Sequence, residues 1–334
     1  LDAAEQKKYL GLTVTPAEMK KMEAEAIKVA AQEKTLFAAG TDYAAPTSVD
    51  WAAAGYVTGV KNQGACGSCV SFGTCAAIEA TIRVKMKEPG LAIDLSEAFC
   101  QFCGGGSCGG WGLTSGLAFA KATGIVDEAC MPYQAKNLDC ASNRCSDWQS
   151  RLTKLNDYTG HAGMEARKNA IATIGPVVAG MAVYSDFFSY KTGIYEKTAG
   201  ASLSGYHCIC VVGYNDTQGY WLIKNSWGAG WGDGGYCKIA YGQVDLKIDS
   251  SWQFYSVDPA VVPKKGNGPA KYLLVDKTFG GGVRLWAYAG NKWRYRNVTD
   301  TELKGLVQEL FDADRVDVWW DSSTITLIRG WTTP

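Results

Sequence analysis

The stretch that most limits how this chain can fold is residues 61–79, KNQGACGSCVSFGTCAAIE, where a glycine-flanked turn leads into a helix-forming run. The pattern predicts Ser68 at the N-cap and Cys69 in the first turn of a helix that ends by Pro89. The unpaired N–H groups and the dipole of a helix N-terminus stabilise a thiolate. Cys69 is therefore a candidate nucleophile, although a buried structural cysteine would explain a single Cys equally well.

Two later segments supply the partners that a catalytic thiol needs. The chain has only two histidines, and His207 lies in the apolar run GYHCICVVGYN, which is typical of a buried strand. Asn225 follows in YWLIKNSWGAGWGDGGY. A Cys near the start of a domain, with a His and then an Asn well downstream, suggests a nucleophile, a base and an orienting group. The other histidine, His161, is predicted to be a solvated loop residue.

These segments resemble those of papain-like cysteine proteases. Residues 46–69, PTSVDWAAAGYVTGVKNQGACGSC, are similar to the mature N-terminus of that family, and residues 223–236, IKNSWGAGWGDGGY, to its Asn-bearing segment. The resemblance covers residues 45–258. It implies an α+β, papain-like two-lobed fold in which a helical lobe and a β-barrel-like lobe enclose a cleft.

The resemblance also implies a role for each site residue. Cys69 would attack the scissile carbonyl, and His207 would act first as general base and then as general acid. Asn225 would orient the imidazole, and Trp227 would shield their hydrogen bond from water. Gln63 and the Cys69 N–H would form the oxyanion hole. These residue types suit the chemistry, because a thiolate–imidazolium pair needs only a neutral acceptor to fix the ring.

Substrate is expected to bind along a glycine pair that follows Cys108. The backbone of Gly109 and Gly110 would pair with substrate, since missing side chains allow close approach. Endopeptidase action is expected, because no paired histidines stand where an occluding loop would place them. One departure from the family is Val70, where a Trp is usual, and it predicts looser packing beside the thiol. The apolar pocket for the second residue before the cut would be lined by Trp111, Gly180, Gly205, Cys208 and Trp252.

Composition limits the compartment and the partners. Lys and Arg balance Asp and Glu at 33 each, so nucleic acid is not an expected partner, and no run of about 18 apolar residues predicts a membrane span. Twelve cysteines favour an oxidising, secreted or lysosome-like compartment. A zinc site in FCQFCGGGSC is the alternative, but that region has no His, and we expect neither a metal nor a cofactor.

The resemblance implies specific disulfides. It pairs Cys66 with Cys108, and one of Cys100 or Cys103 with one of three downstream partners. Because Cys69 must stay free, at least one further cysteine stays unpaired, and Cys75 is the candidate. The three possible downstream partners are Cys130, Cys140 and Cys145.

Segments without a match flank the protease-like region. Residues 1–44 are helix-rich, and the resemblance implies an inhibitory propeptide that crosses the cleft in cis. The alternative is a helix packed permanently on the body. Numbering that starts at Leu1 suggests that a targeting segment has been removed. After residues 45–259, residues 260–271 are expected to be a linker and residues 272–334 a small ββαββ domain. Its tryptophans would form either a core or a binding face for a further partner.

Three functions remain open on sequence alone. The first is a cysteine endopeptidase zymogen that acts on polypeptides. The second is a peptide ligase or transpeptidase, in which an amine rather than water resolves the acyl-enzyme. The third is a non-catalytic papain-like binding protein, which the intact set of four site residues argues against.

Overall fold

The chain folds as two compact units, Leu1–Val261 and Val262–Pro334. In the computed structural model, the described residues are 2–17, 19–21, 23–24, 27–28, 31, 45–244, 253–260, 265–269, 272–277, 283–289, 292–299, 315–321 and 324–331.

The first unit begins with a short helix, α1, at Ala3–Lys8. Asp2 caps it by accepting hydrogen bonds from the N–H groups of Ala4 and Glu5 at 2.9 Å, which satisfies two donors at the helix start. The described residues between 16 and 31 are also helical. The remaining helices of this unit are α2 at Cys69–Met86, α3 at Leu113–Ala122, α4 at Cys140–Asn143 and α5 at Met164–Thr173.

Helix α2 is the central helix of the unit. Its N-cap is Ser68, as predicted, and Lys87 ends it in the left-handed conformation at φ 52°. Its first fourteen residues, 69–82, are all buried, so the helix is enclosed on every side rather than amphipathic. Helix α3 ends as its sequence predicts, because Gly124 adopts φ 99° and donates its N–H to the Phe119 carbonyl.

The second lobe of this unit is a mostly antiparallel sheet of eight strands with the order β2-β8-β3-β5-β6-β7-β4, and β1 pairs with β5. The long strand β5 faces α2 on one side, and its residues 207–214 are all buried. The strands are β1 Ser48–Asp50, β2 Leu155–His161, β3 Val177–Tyr184, β4 Ile194–Tyr195, β5 Leu203–Asn215, β6 Tyr220–Lys224, β7 Tyr236–Ala240 and β8 Phe254–Pro259.

The second unit is a six-stranded sheet with the order β10-β11-β12-β14-β13-β9. The range expected to be a linker, 260–271, contains β9, which pairs with β13. In the expected ββαββ domain, the alternating run 283–298 would be the second strand, but it forms the hairpin β11–β12 instead. The expected helix, residues 299–313, lies outside the described residues apart from residue 299. The strands are β9 Lys265–Pro269, β10 Tyr272–Lys277, β11 Val283–Ala289, β12 Lys292–Val298, β13 Arg315–Asp321 and β14 Thr324–Trp331.

Three disulfides hold loops of the helical lobe. Cys66 is bonded to Cys108, and Cys103 to Cys140, which is one of the pairings that the sequence left open. A third bond joins Cys130 to Cys145. The unpaired cysteines are Cys69, Cys75, Cys100, Cys208, Cys210 and Cys237, all of them buried.

Candidate functional site

The thiol of Cys69 lies at the start of α2, where it meets strand β5. The side chain is fully buried, and its Sγ accepts a hydrogen bond from the Cys208 N–H at 3.4 Å. Burial raises the pKa of the Cys69 thiol to about 11, although backbone N–H groups of Cys208, Gly11 and Val70 act in the opposite direction. The helix position therefore favours the thiolate, but in this enclosed state desolvation is the larger effect.

His207 directly precedes Cys208 on β5, so its backbone adjoins the N–H group that contacts the Cys69 sulfur. His207 Nε2 lies 2.8 Å from Asn225 Oδ1, so the Nε2–H tautomer donates to the amide oxygen. Nδ1 has no hydrogen-bond partner among the described residues. Burial lowers the pKa of His207 to about 4, and the Asn225 hydrogen bond offsets this only in part. The imidazole is therefore neutral in this enclosed state, and Nδ1 is the ring nitrogen that would accept a proton.

Trp227 lies against the same imidazole, with ring centroids 4.9 Å apart. Phe188 stacks on the indole of Trp227 at 5.0 Å and 5°, and Trp231 meets it edge-on at 5.0 Å. These rings pack around the imidazole, and His207 and Asn225 are both buried. A hydrogen bond is stronger in such a low-dielectric environment.

Gln63 is fully buried on the other side of the thiol. Its Oε1 accepts a hydrogen bond from Ser226 Oγ at 2.6 Å, which fixes the amide so that Nε2 faces the cleft. Nε2 donates to the Cys66 carbonyl at 2.8 Å and to the Tyr9 carbonyl at 3.2 Å. The predicted oxyanion donor therefore already binds two carbonyl oxygens, and one of them, that of Tyr9, belongs to the N-terminal segment.

Residues 9–13 of that segment run through the cleft. The Trp111 N–H donates to the Gly11 carbonyl at 2.7 Å, and the Thr13 N–H donates to the Trp111 carbonyl at 3.0 Å. This is a parallel bridge between Leu12 and Trp111. On the opposite wall, the Leu12 N–H donates to the Tyr206 carbonyl at 3.3 Å. The segment is thus bound by both lobes.

Glycines make this close approach possible. A Cβ on Gly11 would lie 1.8 Å from the Gly67 carbonyl oxygen, and one on Gly110 would lie 2.5 Å from the Gly11 carbonyl oxygen. A Cβ on Gly205, which adopts φ 155°, would lie 3.0 Å from Leu10. Gly109 and Gly110 were expected to pair with a bound chain through their backbone. For this segment the pairing residue is instead Trp111. Gly110 allows the segment to approach closely because it has no side chain.

The other predicted pocket residues have different positions. The Cys208 thiol faces α2 rather than the cleft, because a Cβ on Gly73 would lie 2.9 Å from Cys208 Sγ. Gly180 is buried in β3 opposite Cys208. The indole of Trp111 packs beside Gly104 and Gly116. Trp252 lies outside the described residues.

His161 is not the solvated loop residue that the sequence suggested. It ends strand β2, is partly buried, and its Nε2 lies 2.9 Å from Ser256 Oγ. The error arises because the polar run around His161 is an edge strand, and its pairing with β8 supplies contacts that local sequence does not encode.

Sequence reasoning also missed Ser226 and Tyr133, whose hydroxyls bond the side chain and the main chain of Gln63. Ser226 directly follows the predicted Asn225, so its position was the only available signal. Within the described part of the chain, no three His, Cys, Asp or Glu side chains cluster as metal ligands would, and no helix is long and apolar enough to cross a membrane.

Comparison with known proteins places this site in a family. Residues 45–255 match the papain family cysteine protease model. A cathepsin L-like proteinase of Fasciola hepatica is 36% identical over 206 residues, which are 59% of this chain and 61% of that protein. Cathepsin S of Rattus norvegicus is 37% identical over 207 residues, 58% of this chain and 60% of that protein. The chain thus matches about three fifths of the length of these relatives.

Solved structures with the same fold include two proenzymes. The digestive procathepsin L2 proteinase from Tenebrio molitor larval midgut is 28% identical with a TM-score of 0.56, covering 66% of this chain and 70% of that one. Procathepsin B S9 from Trypanosoma congolense, at 21% identity and a TM-score of 0.62, covers 78% and 90%; at that identity the likeness concerns the fold alone.

Proposed function

The chain belongs to the papain family of cysteine proteases, and from this premise we propose that it is a latent cysteine endopeptidase that cleaves polypeptides through an acyl-enzyme. The observation that carries the proposal is the position of Cys69 Sγ. It lies 3.4 Å from the backbone nitrogen of Cys208, the residue after a histidine whose Nε2 is fixed by Asn225 and whose Nδ1 is unpartnered.

The chemical steps follow from these groups. Proton transfer from the Cys69 thiol to His207 Nδ1 gives a thiolate and an imidazolium. The thiolate attacks the scissile carbonyl carbon, and the developing oxyanion is bound by Gln63 Nε2–H and the Cys69 N–H. The imidazolium then gives its proton to the leaving amine, which leaves a thioester. Water, deprotonated by His207, attacks the thioester carbonyl carbon. The C–S bond then breaks, which releases the acid product and regenerates the Cys69 thiolate and the His207 imidazolium.

Asn225 and Trp227 act through the imidazole. The Asn225 amide oxygen accepts the Nε2–H and so keeps Nδ1 directed at the thiol. The indole of Trp227 covers that hydrogen bond. An uncharged acceptor is sufficient here, because the imidazolium already has the thiolate as its counter-ion.

The N-terminal segment is the inhibitor in cis in this proposal. Tyr9 places its carbonyl on the oxyanion donor Gln63, and the Gly11 N–H interacts with the Cys69 sulfur. The segment therefore occupies the oxyanion donor and covers the thiol.

Substrate preference is proposed from the same contacts. Leu12 is buried in the cluster against which Trp111 packs. Leu10 lies close to Gly205, where a Cβ would be 3.0 Å from it. Apolar residues are expected two positions before the cut. The three disulfides suggest an oxidising compartment, secreted or lysosome-like. The second unit is proposed to take no part in bond cleavage.

The test is product analysis of a peptide library incubated with the activated chain. Unsubstituted protein should give hydrolysed products, whereas Cys69→Ala should give none and should lose labelling by a thiol-directed epoxide. Cys75→Ala is the matched control, since Cys75 is also an unpaired buried cysteine of α2, and it should retain both. Labelling that survives in Cys69→Ala would reject the nucleophile, and amide-ligated products would indicate the transpeptidase.

A further inference from the structure

The two predicted oxyanion donors come from opposite ends of one loop, and a tyrosine bonds to both ends. Gln63 supplies a side-chain N–H, and Cys69 supplies its backbone N–H at the start of α2. We propose that Tyr133 is a positioning residue for this oxyanion site, because its hydroxyl fixes the Gln63 main chain relative to Ser68, the residue before the nucleophile. This inference rests on the proposed function and deepens it.

Two short hydrogen bonds carry the inference. Tyr133 Oη donates to the Gln63 carbonyl at 2.8 Å, and it lies 2.6 Å from Ser68 Oγ. Since the single phenolic proton goes to the carbonyl, the Ser68 hydroxyl must donate to Oη. The result is a pair of consecutive hydrogen bonds, from the Ser68 hydroxyl to Tyr133 Oη and from Tyr133 Oη to the Gln63 carbonyl. Together they link the two ends of the loop 63–68.

The unusual state of the N-cap supports this reading. A serine at the N-cap normally accepts a hydrogen bond from an N–H of the first helical turn. Ser68 makes no such bond, although it is fully buried. Its hydroxyl is instead used to hold Tyr133, so the local helix-capping bond has been replaced by a bond to the oxyanion loop.

Tyr133 is itself held firmly. Its ring meets Phe72 of α2 edge-on, with centroids 4.8 Å apart, and its N–H donates to Glu128 Oε1 at 2.6 Å. Burial raises the pKa of Tyr133 to about 12, so the hydroxyl stays protonated and remains a donor at any pH at which the enzyme would work. The ring of Tyr133 is thus fixed to α2, and its hydroxyl fixes Gln63 and Ser68. Both oxyanion donors are therefore positioned relative to the same helix.

The expected consequence is a transition-state defect without a binding defect. Removal of a whole oxyanion donor costs about 10²–10³ in kcat in other enzymes. Tyr133→Phe keeps the ring on Phe72 and leaves both donors present but less well placed. We expect kcat and kcat/KM of the activated full chain to fall together by about tenfold, with KM within about twofold.

Inhibitors separate positioning from general damage. A peptide aldehyde forms a hemithioacetal whose oxygen occupies the oxyanion site, so its inhibition constant should rise by about the same factor as kcat falls. Iodoacetamide needs the Cys69 thiolate but no oxyanion donor, so its alkylation rate should stay within about twofold. Tyr195→Phe is the matched control, because it also removes a phenolic hydrogen bond, the one to Asp186, and it should change none of these values.

A second variant tests the shared bond. Ser68→Ala removes the bond between Ser68 and Tyr133. The double variant should be no worse than Tyr133→Phe alone, since Tyr133→Phe already removes that bond together with the one to Gln63. Additive losses, an unchanged aldehyde constant, or an equal loss in alkylation would each overturn the positioning role in an active enzyme. Absence of any Cys69-dependent cleavage by the unsubstituted chain would instead reject the proposed function itself.

Discussion

The helix side and the sheet side of the site respond to burial in opposite ways. On α2, burial raises the pKa of the Cys69 thiol to about 11. On β5, burial lowers the pKa of His207 to about 4. Each shift favours the uncharged form, so the thiol and the imidazole are both neutral between these values. The comparison shows that the same enclosure disfavours both the thiolate of Cys69 and the imidazolium of His207.

The enclosing group is the N-terminal segment, so Gly11→Ala should have the largest effect. Its Cβ would lie 1.8 Å from the Gly67 carbonyl oxygen, and backbone cannot yield by that much. A thiol of pKa about 11 is about 10⁻⁴ thiolate at pH 7. We expect the uncut variant to react with iodoacetamide at pH 7 at least about a hundredfold faster than the uncut parent, measured by mass spectrometry.

Gly59→Ala is the control for that experiment, since a Cβ there would meet nothing within 4 Å. It should leave the alkylation rate of the uncut chain unchanged. If Gly11→Ala reacts no faster than the parent, the segment does not protect the thiol.

The second prediction concerns pH and the imidazole. Unfolded His titrates near 6.5, whereas His207 in the enclosed state takes a proton only near pH 4. Between these values the unfolded chain binds more protons, so stability falls as the pH falls. The full shift corresponds to about 3 kcal/mol. Urea unfolding of Cys69→Ala, which cannot cut itself, should show this loss between pH 7 and pH 4.

The matched protein is Cys69→Ala/His207→Gln, which lacks the titrating group but keeps every carboxylate. Its stability should fall less over the same range, by about 2–3 kcal/mol. Parallel curves for the two proteins would mean that the enclosed imidazole is not desolvated.

How much of this arrangement the sequence predicts depends on the element. The family and the two-lobed fold were predicted correctly through the resemblance of residues 46–69 and 223–236. The start of α2 at Ser68 and the end of α3 at Gly124 were predicted correctly from the residues themselves, because helix caps are local signals. Cys208 was expected to line the substrate pocket, whereas its thiol packs against Gly73 of α2 in the enclosed state. Residues 207–214 of β5 are buried on both faces, so the run carries no alternation from which a face could be assigned.

Contacts between distant segments were also beyond local signals. Tyr133 lies far from Gln63 in sequence, and nothing near it marks a partner. Strand β9 lies in a glycine- and lysine-rich stretch, and its pairing with β13 is a tertiary effect that overrides low strand propensity. The catalytic roles of Cys69, His207, Asn225 and Gln63 remain predictions.

The third prediction tests the sheet side alone. Asn225→Ala removes the acceptor of the His207 Nε2–H, and a lost buried hydrogen bond costs about 1–3 kcal/mol. We expect kcat/KM of the activated chain to fall about ten- to a hundredfold. The alanine variant of Asn215, whose Oδ1 accepts the turn N–H of Gln218, should stay within about twofold. Unchanged activity in Asn225→Ala would contradict the orienting role.

The smallest predicted effect lies where the two sides of the site touch. Gly73 is buried in α2, and a Cβ there would lie 2.9 Å from Cys208 Sγ and 3.3 Å from the Ile209 carbonyl oxygen. Alanine gains about 1 kcal/mol over glycine within a helix, but overpacking costs about 1–3 kcal/mol. Gly73→Ala, made in the Cys69→Ala chain, should therefore lose about 1 kcal/mol in urea unfolding.

Cys208→Ala decides whether that loss comes from the sulfur. Alone, it should destabilise the chain because it leaves a small cavity. Combined with Gly73→Ala, the new methyl group occupies the space that the sulfur leaves, so the double variant should lose less than the two single losses added together, by about 1 kcal/mol. Strict additivity would mean that the backbone of Ile209, which no side-chain substitution removes, sets the separation of helix and sheet at the site.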